Sequence, residues 1–511
     1  MLATTYGSAV YGVDAQIITI ETSVGDGAKF FIVGLPDIAV KESQQRVEAA
    51  LKYNGFFMPR NNVVVNMAPA DLKKEGAAYD LPIALTILNA SGQLNASIAD
   101  YLIMGELSLD GKVRPIKGAL PMAVAARQAG FKGFILPKCN ANEAGIVNQL
   151  EVIGVDHISE AVHHLSGKKI IPPTIIETRE VFYNENTAFS VDFEEVQGQE
   201  NVKRALEISA AGGHNLIMIG PPGAGKTMLA KRLPTILPPL NLSEALETTK
   251  IHSVAGKLKT DSRLIAQRPY RAPHHSISDT ALVGGGTIPQ PGEISLAHNG
   301  ILFLDELPEF KRTALEVMRQ PLEDRTVNIS RAKLSVSFPA NFMLISSMNP
   351  CPCGYFNHPE KECVCNPTQR SRYLAKISGP LLDRIDLHVE VTPVNFDQLT
   401  SKRKTEKSEH IRERVLKSRT IQSLRFENIE HVHCNAMMSS NMVRKYCEID
   451  DQGKALLKNA MQKLGLSGRA FDRILKVART IADLSASEKI AVNHLAEAIQ
   501  YRSLDRSMWT S

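Results

Sequence analysis

Several features are scarce in this 511-residue sequence, and each scarcity excludes a class of protein. No apolar run approaches the roughly 20 residues that a membrane-spanning helix needs, so we expect no membrane segment. The opening residues, MLATTYGSAVYGVDAQ, lack the basic-then-apolar order of a secretion signal, which predicts a cytoplasmic protein. Cysteine is also sparse, and four of the seven cysteines crowd between Cys351 and Cys365, unlike the disulfide framework of a secreted domain.

Excess charge of either sign is scarce as well. The chain has 59 Lys and Arg residues against 54 Asp and Glu residues, a formal net charge of +5. This mildly basic balance permits a nucleic-acid partner without requiring one, because a local basic face matters more than the total. The hydrophobic share of 43% and the charged share of 22% are typical of globular proteins, and the length predicts about three domains.

The stretch from Asn215 to Leu233 carries the most specific motif. A short apolar run enters the loop GPPGAGKT and a helical pattern leaves it, which is the G-x-x-x-x-G-K-[ST] phosphate loop in a strand–loop–helix context. The lysine supplies charge for the β/γ-phosphates and the threonine hydroxyl is a ligand for Mg²⁺. A glycine-rich turn that binds nothing is the alternative. We predict an ATP site formed by Gly220, Pro221, Pro222, Gly223, Ala224, Gly225, Lys226 and Thr227.

A second segment supplies acidic residues for the same site. ILFLDE, Ile301–Glu306, has four apolar residues followed by adjacent acids, as expected of a buried parallel strand that delivers carboxylates at its carboxyl end. We predict that Asp305 holds Mg²⁺ together with Thr227, and that Glu306 activates the attacking water. Paired acids also occur at ordinary strand ends, but their position downstream of a complete phosphate loop favours the catalytic interpretation.

The four crowded cysteines form two C-x-C pairs separated by nine residues. Four thiolates this close along the chain can complete a tetrahedral zinc site made of Cys351, Cys353, Cys363 and Cys365, with His358 as a spare ligand. Because four protein ligands leave no open coordination position, such a site would be structural. Free thiols in a loop are the alternative.

A basic hairpin is predicted in Glu323–Ile345, where VNIS and LSVSF flank a turn over Arg331, Ala332 and Lys333. Basic residues at this tip, with Arg325 behind them, are suited to gripping a phosphate backbone. A solvated turn is the alternative. The Arg268–Gly300 segment is rich in His, Pro and Gly and is too long for a simple connector.

The first 165 residues or so alternate between strand and helix patterns. Val13–Val24 and Lys29–Leu35 flank a Gly-Asp-Gly turn and predict a hairpin, and Tyr101–Ile116 predicts another about Asp110-Gly111. Lys73–Leu85 and Gly105–Gly130 resemble the proteolytic domain of Lon-type proteases. The nucleophilic serine and the lysine of that family would fall on Ala78 and near Leu120, which supply neither nucleophile nor base. The resemblance therefore implies a Lon-like fold without peptidase activity, used in assembly or docking, or in some other catalytic role.

Further motifs resemble the magnesium-chelatase and replicative-helicase branch of AAA+ ATPases. Asn349, at the end of ISSMNP, matches the sensor 1 position, and the Val196–Gln199 turn lies where the family packs on adenine, although an ordinary helix start explains that turn equally well. GPLLDRIDLHVEV places Arg384 in a segment that resembles the arginine-finger motif. LSGRAFDRILKVARTIADL resembles the sensor 2 helix and implies that Arg469 contacts the γ-phosphate. An arginine finger acts on a neighbouring subunit, which implies a ring, expected to be a hexamer.

Taken over nearly its whole length, the chain resembles the YifB/ComM family of magnesium-chelatase-like ATPases. The resemblance implies an α/β multidomain fold: a Lon-like α+β domain over residues 1–168, a linker over 169–187, an AAA+ P-loop α/β core with a parallel sheet over 188–396 and a C-terminal helical lid over 397–511. It also implies an ATP-driven hexameric DNA motor, a branch-migration helicase in recombination or natural transformation. The alternatives are a chelatase-like ATPase that remodels a protein partner and an ATP-dependent protease, which Ala78 disfavours.

Overall fold

The computed structural model describes residues 1–176, 189–258, 264–286, 289–331, 334–358, 360–393 and 405–502, and the side chains of Arg331 and Leu334 lie outside that description. Most of the predicted linker, the hairpin-tip residue Lys333 and the start of the predicted lid therefore lie outside the described residues. Among the described helices, none is long and apolar enough to cross a lipid bilayer.

The N-terminal part of the chain folds around a mixed seven-stranded sheet in the order β3-β4-β2-β1-β5-β8-β9. β1 and β2 are antiparallel, β2 and β4 are antiparallel, and the β5, β8 and β9 side is parallel. Along β2 and β4 buried residues alternate with more exposed ones, so one sheet face packs on the core. The strands are β1 Leu2–Tyr11, β2 Asp14–Gly25, β3 Phe30–Val33, β4 Asn62–Ala68, β5 Tyr101–Ile103, β6 Glu106–Leu107, β7 Val113–Arg114, β8 Gly133–Pro137 and β9 Glu151–Val155.

Helices cover this sheet and bury its apolar side chains. The helix Asp80–Ala90 is buried along almost its whole length, because it lies between the sheet and a second layer of helix. The α-helices of this part are Ile38–Lys41, Ser43–Tyr53, Asp80–Ala90, Ala119–Gln128, Lys138–Ala144 and Ile158–Leu165, and Ala77–Tyr79 is a 3₁₀ turn.

The predicted hairpin between Val13–Val24 and Lys29–Leu35 is wrong. β2 pairs with β1 through a tight turn at Gly12-Val13, and β3 instead pairs in parallel with β4 at the sheet edge. The predicted hairpin about Asp110-Gly111 is confirmed, since β6 and β7 are antiparallel partners across that turn.

The central part of the chain is a five-stranded parallel sheet in the order β11-β14-β17-β10-β18. All residues of β10, β14 and β17 are buried, because layers of helix and loop cover both faces. Small two-stranded sheets, β12 with β13 and β15 with β16, extend from it. The strands are β10 Leu216–Ile219, β11 Tyr270–Arg271, β12 Gly284–Gly285, β13 Gln290–Pro291, β14 Ile301–Leu304, β15 Thr326–Arg331, β16 Leu334–Pro339, β17 Met343–Met348 and β18 Leu387–Glu390.

Helices flank the central sheet and then form the C-terminal layer alone. Central α-helices are Glu200–Gly212, Lys226–Arg232, Leu242–Val254, Asp279–Val283, Glu293–Leu296, Arg312–Val317, Arg319–Asp324, Pro367–Leu374 and Gly379–Leu382, with 3₁₀ turns at Phe193–Glu195, Leu233–Ile236 and Leu307–Glu309. The C-terminal α-helices are Ser408–Arg425, Ser440–Tyr446, Asp451–Leu464, Gly468–Leu484 and Val492–Gln500, with a 3₁₀ turn at Asn435–Met437.

Polar contacts fasten both outer layers to the central one. On the N-terminal side, Ser253 donates to the buried Glu143 carboxylate, and Gly118 N–H donates to the Ser253 carbonyl over 3.2 Å. On the C-terminal side, Arg204 and Glu497 form an ion pair at 2.9 Å. The helix Leu242–Val254 is thus joined to the N-terminal layer, and the helix Glu200–Gly212 is joined to the C-terminal layer.

Asp80 is a fully buried carboxylate of the N-terminal layer, and its loss should destabilise that layer. Its carboxylate accepts from Ser43 at 2.5 Å and Arg46 Nε at 2.7 Å, and from the Leu107 N–H at 3.2 Å. We expect Asp80→Ala to lower the local free energy of unfolding by about 3 kcal/mol, because the Arg46 charge loses its partner. Hydrogen exchange of amides in Asp80–Ala90 measures this change.

The matched control for Asp80→Ala is Asp100→Ala, at an exposed carboxylate bonded to Ser97 at 2.7 Å. This substitution should change the same amide exchange little. Equal protection loss in both variants would contradict the structural role of the Asp80 network.

Candidate nucleotide site

The predicted phosphate loop lies at the carboxyl end of the central strand β10. Gly220 N–H donates to the Met348 carbonyl over 3.2 Å, so the loop starts against the end of β17. A Cβ atom at Gly220 would lie 2.2 Å from the Val391 carbonyl oxygen, so any residue other than glycine would clash there. Gly223 has a φ of +80° and open space where a Cβ would stand, a conformation suited to a loop whose amides face a ligand.

Lys226 is folded onto the loop itself. Its Nζ donates to the carbonyls of Gly220 at 2.7 Å and Pro221 at 2.9 Å, and to Asn349 Oδ1 at 3.1 Å. Burial lowers the pKa of Lys226, while the charges of Asp305 and Glu306 oppose that shift. The ammonium is therefore desolvated and held by neutral oxygens, which an anionic phosphate would replace favourably.

Asp305, directly after β14, meets Thr227, in the first turn of the helix that follows the phosphate loop. Thr227 Oγ1 donates to Asp305 Oδ2 over 2.6 Å, although the two residues are far apart in sequence. Ser347 donates its hydroxyl to the other carboxylate oxygen, and the Glu306 N–H lies 3.1 Å from that same oxygen. A hydroxyl beside a fixed carboxylate is the donor set that Mg²⁺ takes next to nucleotide phosphates.

Glu306 leaves the strand in the left-handed region, with a φ of +54°. Its carboxylate is about half exposed and lies 3.7 Å from the Nδ1 of His275. The His275 ring stacks on His274 at 4.0 Å between ring centroids and meets Phe310 edge-on. The carboxylate of Glu306, the predicted general base, is thus partly exposed to solvent beside His274 and His275.

Two residues at this site were missed by the sequence reasoning. Ser347 lies near the end of β17, two positions before Asn349, which directly follows that strand, and this shared strand end is the signal by which Ser347 could have been found. His275 comes from the long segment between the two halves of the site, and nothing local in the sequence relates it to Glu306.

The Val196–Gln199 turn lies beside the phosphate loop. Val196 is buried, and the Gln199 side chain donates to the Thr392 carbonyl, directly after the Val391 that touches Gly220. The position is compatible with either predicted interpretation of the turn, adenine packing or an ordinary start of the helix Glu200–Gly212.

Arg384 is not brought to the phosphate loop of its own chain. Its side chain is buried, with Nη2 at 2.6 Å from Glu323 and Nη1 donating to the Pro380 carbonyl at 2.7 Å. It lines a surface cavity of about 460 Å³ together with Glu316, Arg319 and Glu323. The predicted action on a neighbouring subunit stays a prediction.

Arg469 is exposed in the first turn of the helix Gly468–Leu484, and the contact with a γ-phosphate likewise stays a prediction. Arg473, one turn further along the same helix, forms an ion pair with the buried Asp386. Asp386 lies two residues after Arg384, so this helix contacts the loop that carries the predicted finger.

The four predicted zinc ligands come together. Each sulfur of Cys351, Cys353, Cys363 and Cys365 lies within 4.8 Å of the other three, as a tetrahedral thiolate site requires. Burial raises the pKa of Cys353, but hydrogen bonds from neighbouring amides and thiols outweigh it and bring that pKa to about 6. A Cβ at Gly354 would lie 2.6 Å from Pro222, so the cysteine loop packs directly on the phosphate loop.

The predicted basic hairpin is formed by β15 and β16, with Arg331 paired opposite Leu334. Lys333 lies outside the described residues, as does the side chain of Arg331. Arg325 is not available for a ligand as proposed, because its guanidinium donates to Asn341 at 2.8 Å and to the Phe342 carbonyl.

The Lon-type catalytic positions are filled by structural residues. Leu120 is buried, and its N–H donates to Glu143 over 2.9 Å. Ala78 is partly buried against the apolar core, and its carbonyl accepts from Gly105. Neither side chain offers a nucleophile or a base.

A P-loop strand between two parallel neighbours, with acids at the end of the strand beyond one of those neighbours and a helical layer behind, defines the class of AAA+ ATPases. Family models agree with this class. Residues 192–399 match "Magnesium chelatase, subunit ChlI", residues 20–140 match "Subunit ChlI of Mg-chelatase" and residues 405–502 match "Magnesium chelatase, subunit ChlI C-terminal".

Similar proteins specify the family further. The chain is 45% identical to competence protein ComM of Haemophilus influenzae over 99% of its own length and 98% of the relative's. It is 43% identical to the Escherichia coli protein YifB over the same shares. A partial match, 30% identity over 31% of the chain and 33% of the relative, is to Lon protease 2 of Bacillus subtilis. The chain belongs to the YifB/ComM family of magnesium-chelatase-like AAA+ ATPases.

Removing the Lys226 ammonium should abolish nucleotide binding and hydrolysis. We expect Lys226→Ala to reduce the ATPase rate at least 100-fold, because no other described cation replaces its contacts within the loop. The control is Lys231→Ala, an exposed lysine on the same helix, which should keep the rate within about twofold. Steady-state phosphate release and binding of a fluorescent ATP analogue measure both, and hydrolysis by Lys226→Ala would refute the assignment.

Proposed function

We propose that this chain is an ATP-hydrolysing ring motor that acts on DNA in the cytoplasm, as a branch-migration helicase in recombination or natural transformation. ATP hydrolysis is supported by one observation: five polar residues lie together at the carboxyl end of the parallel sheet. They are Lys226, Thr227, Asp305, Glu306 and Asn349. The DNA half is supported by 45% identity, over almost the whole chain, to a relative named as a competence protein.

Each residue of the constellation has a role that its contacts support. Thr227 and Asp305 hold Mg²⁺, and Lys226 exchanges its loop carbonyls for β/γ-phosphate oxygens. Glu306 accepts the proton of the attacking water, and Asn349, 3.1 Å from Lys226, orients that water. Bound Mg-ATP supplies the phosphoanhydride bond that is cleaved.

Arg384 completes the site from a second subunit. An arginine held apart from its own phosphate loop can stabilise transferring charge only on a neighbour, which requires a closed ring, here proposed to be a homo-hexamer. Its partner Glu323 is about half exposed, so this ion pair lies where a neighbouring surface can compete for it.

A chelatase-like ATPase that remodels a protein partner is the second candidate. It is favoured by the family models, which are named for the magnesium-chelatase subunit and cover most of the chain. Both candidates share the ATP site and differ in what the basic hairpin of β15 and β16 and the N-terminal layer would contact. DNA response therefore separates them.

DNA should stimulate the ATPase rate of the purified chain. We expect single-stranded or forked DNA to raise the rate several-fold at low salt, with the effect weakening as salt rises because phosphate contacts release counterions. Reversing both hairpin-tip charges, Arg331→Glu with Lys333→Glu, should remove most of this stimulation. Phosphate release at a series of salt concentrations measures it.

The control for the hairpin variant is Lys41→Glu with Lys52→Glu, the same charge change on exposed helices of the N-terminal layer. This variant should keep the DNA response. No stimulation and no DNA binding by the unmodified chain at low salt would contradict the DNA motor and leave the protein-remodelling candidate.

The cysteine cluster is proposed to hold a structural zinc ion that stiffens the loop beside Pro222. Purified protein should contain about one zinc per chain, and Cys351→Ser with Cys353→Ser should lose it, since two of four ligands are gone. The control is Cys139→Ser, a free cysteine of the N-terminal layer. Elemental analysis decides, and unchanged zinc content in the double variant would place the ion elsewhere.

A further inference from the structure

The backbone of Arg384 is clamped between two layers of the protein. Its carbonyl oxygen accepts from the Asn215 side-chain amide at 3.0 Å and from Arg473 Nη1 at 3.2 Å. Asn215 immediately precedes β10, the strand that leads into the phosphate loop, whereas Arg473 belongs to the C-terminal helix Gly468–Leu484. One carbonyl thus joins the nucleotide-binding strand, the predicted finger loop and the helical layer.

Asp386 anchors the same clamp. Its carboxylate is almost fully buried and pairs with Arg473, while its other oxygen accepts from the Asn215 N–H at 3.0 Å and faces His214 Nδ1 at 3.5 Å. Burial alone would raise the pKa of Asp386, but the Arg473 charge and the His214 contact hold it below its ordinary value. The pair is therefore ionised, and breaking it would leave a buried charge without its main partner.

The C-terminal helix also carries the residue that would sense nucleotide. Arg469 and Arg473 are separated by one helical turn, about 6 Å of rise, so any shift that Arg469 makes toward a phosphate moves Arg473 as well. Arg473 in turn contacts the loop of Arg384, whose guanidinium lies on the far side, against Glu323.

We propose that Arg473 is a positioning residue that ties the helical layer to the Arg384 loop, so that nucleotide bound in one subunit sets the placement of the finger that serves the next subunit. This inference rests on the proposed ring with shared sites. It assigns Arg473 no contact with nucleotide; the residue acts through Arg384.

A first measurement separates positioning from nucleotide binding. Arg473→Met should lower kcat about 10-fold or more while the Kd of a fluorescent ATP analogue stays within about twofold, because its own phosphate loop is intact. Arg473→Lys should recover part of kcat, since it keeps the charge opposite Asp386. A wild-type kcat in both variants would overturn the proposal.

The decisive experiment mixes variants within rings. Arg473→Met subunits keep an intact phosphate loop and Glu306, whereas Glu306→Gln subunits keep an intact finger and still bind nucleotide without hydrolysing it. In a 1:1 mixture about a quarter of the sites combine both intact halves, so activity should recover to roughly a quarter of the wild-type rate from two nearly inactive parents. Arg384→Ala mixed with Glu306→Gln should recover equally.

Arg469→Ala provides the matched negative control. Its defect lies in the nucleotide site of its own subunit, as does that of Glu306→Gln, so their mixture should stay inactive. If the Arg384 mixture recovers and the Arg473 mixture does not, Arg473 acts on its own site and the inference fails, while the shared site stands. If neither recovers, the proposed shared site itself fails. Should Arg473→Met not bind nucleotide, Arg473→Lys carries the same mixing test.

Discussion

The site depends on the parallel register of three central strands. Ile219 lies opposite Met348 and Leu304 lies opposite Ser346, so the residues that follow each strand emerge side by side. This register puts the phosphate loop next to Asn349 and puts Asp305 next to Ser347. A shift of one residue would turn each side chain to the opposite sheet face and separate Thr227 from Asp305.

Asn215 maintains that register at the other end of the sheet. Its side chain accepts from the Leu344 N–H and donates to the Arg384 carbonyl, and its backbone carbonyl accepts from Asp386 and Leu387. One buried amide therefore holds β17 and the lead-in to β18 against β10. The carboxyl end of β10, where the phosphate loop begins, and the loop that carries Arg384 are positioned by the same strand.

In the N-terminal layer, the region that resembles a Lon-type peptidase has a structural role. Glu143 accepts from the Leu120 N–H, near which the resemblance would place the Lon-type lysine, and from Ser253 of the central layer. The helix Leu242–Val254 is thereby braced against the N-terminal layer, and its His252 donates from Nε2 to the Leu296 carbonyl, shortly before β14. The N-terminal layer therefore contacts the helix Leu242–Val254, which in turn contacts the segment before β14, and it contributes no catalytic group.

Local motifs were predictable because short spacing determines them. The phosphate loop, the acids after β14 and Asn349 each lie within one turn or strand end, and the four cysteines lie within 15 residues, so each motif has few alternative arrangements. The hairpin between β2 and β3 was mispredicted because a turn between two strands does not reveal whether they pair, and β4 arrives from a distant segment to separate them. Ser347, His275 and Arg473 were missed because their partners are distant in sequence.

By itself, the sequence determined that this protein has a nucleotide loop, acids to accompany it and the family to which it belongs, since these rest on residue type and spacing. Only the tertiary structure decided that Arg384 points away from its own loop and that Arg473, rather than Arg469, contacts the core. The physical reason is that a buried charge must find a partner, and strand register and helix packing determine which partner comes within reach.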